Sequence, residues 1–201
     1  MYSALHRSLN WGFGAVLFAL GLPLMAGIAG LIWLTEDPPV LFTQTRAGHE
    51  GSPFQIIKFR TLRVDASGTT SPSEHTTRIG AVLRRWGLDE LPQLWNVLRG
   101  EMNLIGPRPV LPAEARGYDE RARRRLAVRP GITGWAQVNG RNNLDWSQRM
   151  DLDLWYVRNR SLELDLWILL QTPAVLLSGE GVYGPGTEDP SSDEVTSHLH
   201  R

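Results

Sequence analysis

Apolar residues gather in one long block near the start of the chain and recur afterwards in shorter periodic patches. Between Arg7 and Glu36 no residue carries a full charge. The heart of that run is WGFGAVLFALGLPLMAGIAGLIWL, Trp11 to Leu34. As a helix it reaches about 36 Å, enough for the ~30 Å hydrocarbon layer of a bilayer. Trp11 and Trp33 stand near its ends, where interfacial aromatics are expected. A weak basic flank, and no small-x-small site before a polar start, argue against a secretory signal. Pro23 lies near the middle, removes a helical hydrogen bond and predicts a kink. Two shapes accommodate it: a bent span, or a re-entrant helix whose ends emerge on one face. Arg7 and Arg46 flank the segment on both sides and do not choose between them.

Beyond the block the periods shorten. Val40–Arg46 reads as a short strand or extended segment and Phe54–Leu62 alternates as a strand, with Gly48 and Gly51 allowing a turn between them. Residues 65–77 are rich in Ser, Thr and Gly and read as a loop. A helix is predicted over 78–86, ended by Gly87. A second places Leu91, Leu94, Trp95 and Leu98 on one face, with Pro92 in its first turn. Gly100 ends it, and GPRP at 106–109 is a stiff loop. A charged helix is predicted over 113–126. Residues 129–143 are turn-rich, and 152–177 return to a helical apolar pattern with Trp155, Tyr156 and Trp167. The expected organisation is a membrane helix over 1–36, a catalytic α/β domain over 37–178 and a flexible acidic tail over 179–201.

The 201 residues carry zero formal net charge, which provides no general case for nucleic acid. Charge is unevenly placed. Arg108 to Arg129 holds seven arginines against Glu114, Asp119 and Glu120, and the stretch from Asp151 onward holds nine acids against three arginines. The middle suits anions. Its basic stretch lacks the interleaved aromatics of a single-strand nucleic-acid binder. With no cysteine in the chain, thiolate nucleophiles and cysteine-ligated zinc are excluded.

Asp89 and Glu90 precede the second helix. Taken alone they read first as N-terminal capping acids. Their surroundings favour chemistry: Lys58, Arg60, Arg84 and Arg85 lie on neighbouring elements, and Arg108 and Arg129 sit in proline-stiffened turns suited to bidentate phosphate contacts. Mg²⁺ readily shares carboxylate and phosphate oxygens, leaving the other acid to act as nucleophile or base. Arg123 to Arg125 read as surface groups facing anionic lipid headgroups.

Four strings carry a resemblance: KFRTL at 58–62, LDELPQLWNVLRGEMNLIGPRP at 88–109, RPGITGWAQVNGRN at 129–142 and DLDLWYVRNRSLELDLWILLQT at 151–172. Over roughly Leu9 to Val182 the chain resembles the bacterial sugar transferases, the monotopic polyprenyl-phosphate phosphoglycosyl transferases. The resemblance implies a small membrane-associated α/β catalytic domain with interfacial amphipathic helices and one re-entrant N-terminal helix. It implies Asp89 as nucleophile towards the β-phosphate of a nucleotide sugar, and Glu90 as the residue that helps hold Mg²⁺. Lys58, Arg60, Arg84, Arg108, Arg129, Gln137 and Arg141 become substrate-binding candidates. Polyprenyl phosphate is the implied acceptor, at the bacterial plasma membrane with the domain facing the cytoplasm. Oligomeric state is left open, a homodimer included.

The chain departs from the pattern at Leu22, where relatives often have serine before the proline, and at Pro38-Pro39 and Glu101. It reads as the compact version of the family. Competing classes are a glycosyl transferase that moves the sugar without its phosphate, and a membrane scaffold whose arginines bind lipid phosphates.

Overall fold

The computed structural model describes residues 2–36, 38–63 and 76–178. The expected tail over 179–201 and most of the loop expected over 65–77 fall outside them. The architecture is mixed. Helix α1 (Tyr2–Thr35) leads into strands β1 (Leu41–Ala47) and β2 (Pro53–Phe59). There follow α2 (Arg78–Arg85), α3 (Gln93–Leu98), β3 (Asn103–Ile105), α4 (Pro112–Arg116) and α5 (Glu120–Arg123). Strand β4 (Gly131–Thr133), α6 (Trp135–Val138), α7 (Trp146–Asn159) and α8 (Leu162–Ser178) complete it.

The apolar block forms α1, which continues unbroken through Pro23. From His6 to Thr35 it is long and apolar enough, by length and composition, to cross a membrane. One stripe of it lies on the domain. His6 Nε2 is 2.8 Å from Asp165 Oδ2. The Asn10 amide donates to Asn103, and its oxygen accepts from the Leu104 N–H at 2.7 Å. A Cβ on Gly14 would sit 2.9 Å from Val97, and Phe18 meets Trp95. Met25, Ile28 and Ile32 then share a core with Phe59 and Leu83. These positions recur at helical spacing from one end of α1 to the other. The opposite face leaves Phe13, Val16, Leu20, Leu24 and Leu34 exposed.

β1 and β2 pair antiparallel, in the register Leu41↔Phe59 to Ala47↔Pro53. Glu50 and Gly51 take positive φ in the turn between them. Phe54 and Ile56 of β2 join Leu94, Val97, Met102, Leu104, Ile105, Tyr156 and Ile168 in the central core. Asn96 of α3, with no exposed surface, binds the edge of β2. Its amide donates to the Gln55 carbonyl at 2.7 Å and its oxygen accepts from the Ile57 N–H. A side chain thus satisfies backbone groups that would otherwise be buried without partners, and α3 is tied to the strand carrying Lys58.

One expectation is corrected, and two other segments gain detail. Residues 113–126 do not form one charged helix. Gly117 closes α4, and Asp119 starts α5 by accepting from the Ala122 N–H at 2.7 Å. Residues 152–177 divide at Arg160, and the Ser161 hydroxyl accepts from the Leu164 N–H at the start of α8. The turn-rich segment 129–143 contains β4, which pairs parallel with β3 (Asn103↔Gly131, Ile105↔Thr133), and the short α6. Glycine is required at that crossing. A Cβ on Gly131 would lie 2.1 Å from the Gly106 nitrogen, closer than any side chain tolerates.

Trp135 of α6 stacks on Trp155 of α7 at 4.7 Å and lies 5.3 Å from Trp167 of α8, so the last three helices share an aromatic seam. α8 inverts the pattern of a soluble helix. It buries Asp165, whose carboxylate accepts from the Tyr156 hydroxyl, and exposes Leu166, Leu170 and Leu177.

Candidate active site

The two acids fall where the sequence placed them, just before α3. Gly87 takes a left-handed conformation (φ 65) that ends α2 and starts the tight turn Leu88–Glu90, and Pro92 opens α3. The turn packs against β2, so Glu90 faces Lys58 across it. Lys58 Nζ is 2.8 Å from Glu90 Oε1. Arg108, from the stiff GPRP loop, reaches the same oxygen at 2.6 Å and Oε2 at 3.3 Å. Among the described residues Asp89 enters no ion pair or side-chain hydrogen bond, although it is only 8 % exposed.

Neighbouring carboxylates in one turn therefore have opposite protonation tendencies. Burial and the adjacent Glu90 charge push Asp89 above the ordinary carboxylate range, against the pull of Lys58, Arg108 and Arg84. Burial also raises Glu90, but the charges and hydrogen bonds of Arg108 and Lys58 outweigh it and hold Glu90 well below that range. Burial lowers Lys58, with Arg108 adding to the effect and Glu90 opposing it.

These groups line a cavity of about 470 Å³. Of the residues expected from sequence, Lys58, Arg60, Arg84, Asp89, Glu90, Arg108, Gln137 and Arg141 all border it. Arg84 donates to the Thr61 hydroxyl at 2.8 Å, and Arg60 faces Glu36 at the end of α1. Both amide atoms of Gln137 are buried with no protein partner, an arrangement that leaves a donor and an acceptor for a ligand. Arg141 has positive φ (52), and burial lowers its pKa. Arg129 is the exception. It lies away from the cavity, and the charge it feels is that of Arg7 in α1, because its chain enters β4 on the side where α1 begins.

Sequence reasoning missed several groups. Arg46, Arg149 and Asp153 also border the cavity. Arg125, expected at the surface, is 4 % exposed. It donates to Asp153 Oδ2 at 2.7 Å, to the Tyr118 hydroxyl at 2.8 Å and to the Arg108 carbonyl at 2.8 Å. It therefore holds the backbone of the residue that grips Glu90. The available signal was Asp153 itself, a lone acid between Leu152 and Leu154 in an apolar helical pattern. Only Arg123 and Arg124 of the basic run keep the exposed position expected of lipid-facing charges.

The donor set suits a divalent cation shared with a substrate. The described residues contain no group of three metal-ligating acids or histidines, so the protein would offer at most Asp89 and Glu90. Mg²⁺ is commonly held by one or two carboxylates with substrate phosphates completing its shell. Glu90 Oε2, with only its longer contact to Arg108, retains room for such a bond.

A cationic cavity with paired acids at its floor, on a small mixed domain clasped by an apolar helix, is equipped to hold a polyanionic, phosphorylated substrate. Sequence comparison places it further: the chain belongs to the bacterial sugar transferase family, whose model matches residues 1–179. It is 48 % identical over 155 residues to EpsL, an uncharacterized sugar transferase of Bacillus subtilis, covering 76 % of this chain and 77 % of that one. It is 38 % identical over 193 residues to the exopolysaccharide production protein ExoY of Rhizobium meliloti, covering 86 % and 85 %. It is also 41 % identical over 190 residues to a UDP-glucose:undecaprenyl-phosphate glucose-1-phosphate transferase of Caulobacter vibrioides, covering 88 % of this chain and 71 % of the relative.

Proposed function

We propose that this protein transfers a sugar 1-phosphate from a nucleoside-diphosphate sugar, most readily a UDP-sugar, to undecaprenyl phosphate. The observation that carries the reading is the division of labour in one turn: Glu90 is held by Lys58 and Arg108, while Asp89 borders the same cavity unpaired. An Asp89 oxygen attacks the β-phosphorus of the donor. The bond to the oxygen bridging the two phosphorus atoms breaks, and nucleoside monophosphate leaves with that electron pair. The phosphosugar is then joined to Asp89 as an acyl phosphate, a mixed carboxylic–phosphoric anhydride. A phosphate oxygen of the acceptor attacks the same phosphorus and releases the carboxylate, giving a diphosphate-linked lipid sugar.

Arg108, Arg84 and Arg141 supply the positive field in which an anion can attack an anion. Mg²⁺, which Glu90 would help to hold, would add charge neutralisation there. The partly buried turn shields the aspartyl acyl phosphate from water. The name of the Caulobacter relative supports the overall exchange. A transfer of sugar alone would release nucleoside diphosphate, and the identity of the released nucleotide decides between the two. A screen of nucleotide sugars with undecaprenyl phosphate, scoring monophosphate release, tests the reaction. A base-labile, sugar-labelled protein lost in Asp89→Asn tests the intermediate.

The proposed setting is the bacterial plasma membrane, with residues 11–34 inserted re-entrantly and the domain on the cytoplasmic side, where nucleotide sugars are. Contacts of α1 with one domain from His6 to Ile32 support this. A full crossing would carry that domain surface, with its irregular backbone, into hydrocarbon. Single cysteines at Ser3 and Ser67 of this cysteine-free chain report the topology. Both should resist an impermeant maleimide in intact cells. Labelling of Ser3→Cys alone would establish a span.

A further inference from the structure

The cavity has two unlike sets of lining residues. One carries the charged groups described above. The other is apolar and includes Leu41 and Phe42 at the start of β1 and Val175 and Leu176 near the end of α8. Phosphates and sugar hydroxyls gain nothing from such a wall, and in water it is unfavourable. Leu41 is 44 % and Phe42 37 % exposed.

The apolar wall adjoins the reacting groups. Phe42 is the direct cross-strand partner of Lys58, so the two side chains emerge on the same face of the ribbon. Leu176 presses on Gly87, two residues before Asp89; a Cβ there would sit 2.9 Å from its methyl group. The helix that provides Val175 and Leu176 also exposes Leu170 and Leu177. Leu176, which meets the acidic turn at Gly87, is thus followed on α8 by the exposed Leu177.

Resting on the reaction proposed above, we infer that Phe42, Val175 and Leu176 form the subsite for the isoprenoid end of the lipid acceptor. The units next to its phosphate would lie along this wall while the phosphate enters the charged half of the cavity. The wall thereby selects an isoprenoid phosphate over a soluble one. The competing occupant is the nucleobase of the donor, which could stack on Phe42.

The test uses the full chain in nanodiscs, with UDP-glucose as donor and either undecaprenyl phosphate or butyl phosphate as acceptor. Phe42→Gln and Val175→Gln alter half-exposed side chains, and a melting curve checks folding. The expected result is a rise of at least tenfold in the apparent KM for undecaprenyl phosphate and a donor KM within twofold of wild type. The preference for undecaprenyl over butyl phosphate should contract by a similar factor. Exchange of labelled UMP into UDP-glucose without acceptor should suffer a much smaller loss. An unchanged acceptor KM overturns the subsite, and so does a rise in donor KM, which would seat the base there. Failure of wild type to catalyse the exchange would count against the aspartyl intermediate alone, because the acceptor KM comparison still decides the subsite.

Discussion

Two arginine–carboxylate pairs lie at either side of the GPRP loop, alike in chemistry and opposite in use. Arg108–Glu90 opens on the cavity, with the arginine side chain 42 % exposed. Arg125–Asp153 is almost wholly covered, at 4 % and 1 %, with only Asp153 bordering the cavity. The first can exchange its partners for a phosphate or a cation. In the second, Arg125 is enclosed, and its three donations to Asp153, Tyr118 and the Arg108 carbonyl make it a frame. A buried pair of this kind is weak evidence for stability, since desolvation offsets attraction, but removing one partner strands the other. The open pair is therefore expected to govern chemistry, and the sealed pair both folding and the aim of Arg108.

The largest effect expected at the open site belongs to the acid left unpaired. Asp89→Asn should lower turnover by about a thousandfold or more while donor binding, measured by calorimetry, stays within a few fold. Activity within tenfold of wild type would remove Asp89 as nucleophile. Excess chelator should abolish most turnover, with Mg²⁺ restoring it, and Glu90→Gln should raise the Mg²⁺ concentration needed for half-activity. Full activity in chelator would end the metal proposal.

The two arginines divide next. Arg125→Gln should destabilise the fold by about 3 kcal/mol, the cost of leaving Asp153 buried without its partner, and lower kcat/KM by about tenfold. Arg108→Ala should lower kcat/KM by about tenfold, roughly 1.4 kcal/mol, with less than about 1 kcal/mol lost from stability because its side chain is partly exposed. If Arg125 acts through Arg108, its variant should add less than twofold to the kinetic loss in the Arg108→Ala background. Equal melting shifts for both arginines would erase the distinction between open and sealed pairs.

The smallest effect is on pH. Asp89 must be ionised to attack, and burial beside Glu90 raises its pKa. The acid limb of the rate profile should therefore lie above the ordinary aspartate value of about 4. Glu90→Gln removes a negative neighbour and should move that limb to lower pH. Movement upward, in a profile of kcat/KM against pH, would contradict the assigned coupling.

Much of this was readable without coordinates. The uncharged run from Trp11 to Leu34 read as a long apolar helix, the segments that became β1 and β2 read as extended, and Gly87 and Pro92 bracketed the acidic turn. The legible site residues were those in stiff local contexts, such as Arg108 between prolines. Arg129 has the same local signature, yet it lies outside the cavity, because proline fixes a backbone and says nothing about what the chain packs against. Arg125 shows the converse. Its arginine-rich neighbourhood reads as surface, and only the approach of α7 makes it core.

What the sequence determined by itself is therefore local: helix and strand periods, turn positions, the apolar length of α1 and a stock of phosphate-binding side chains. These follow from steric and solvation preferences spanning a few residues. The tertiary structure alone decided which of them meet. The parallel pairing of β3 with β4, the support of β2 by Asn96, the union of Lys58, Glu90 and Arg108, and the apolar wall facing them all join residues far apart in the chain. Such contacts depend on the shape complementarity of whole packed elements, and no short window of sequence contains that information.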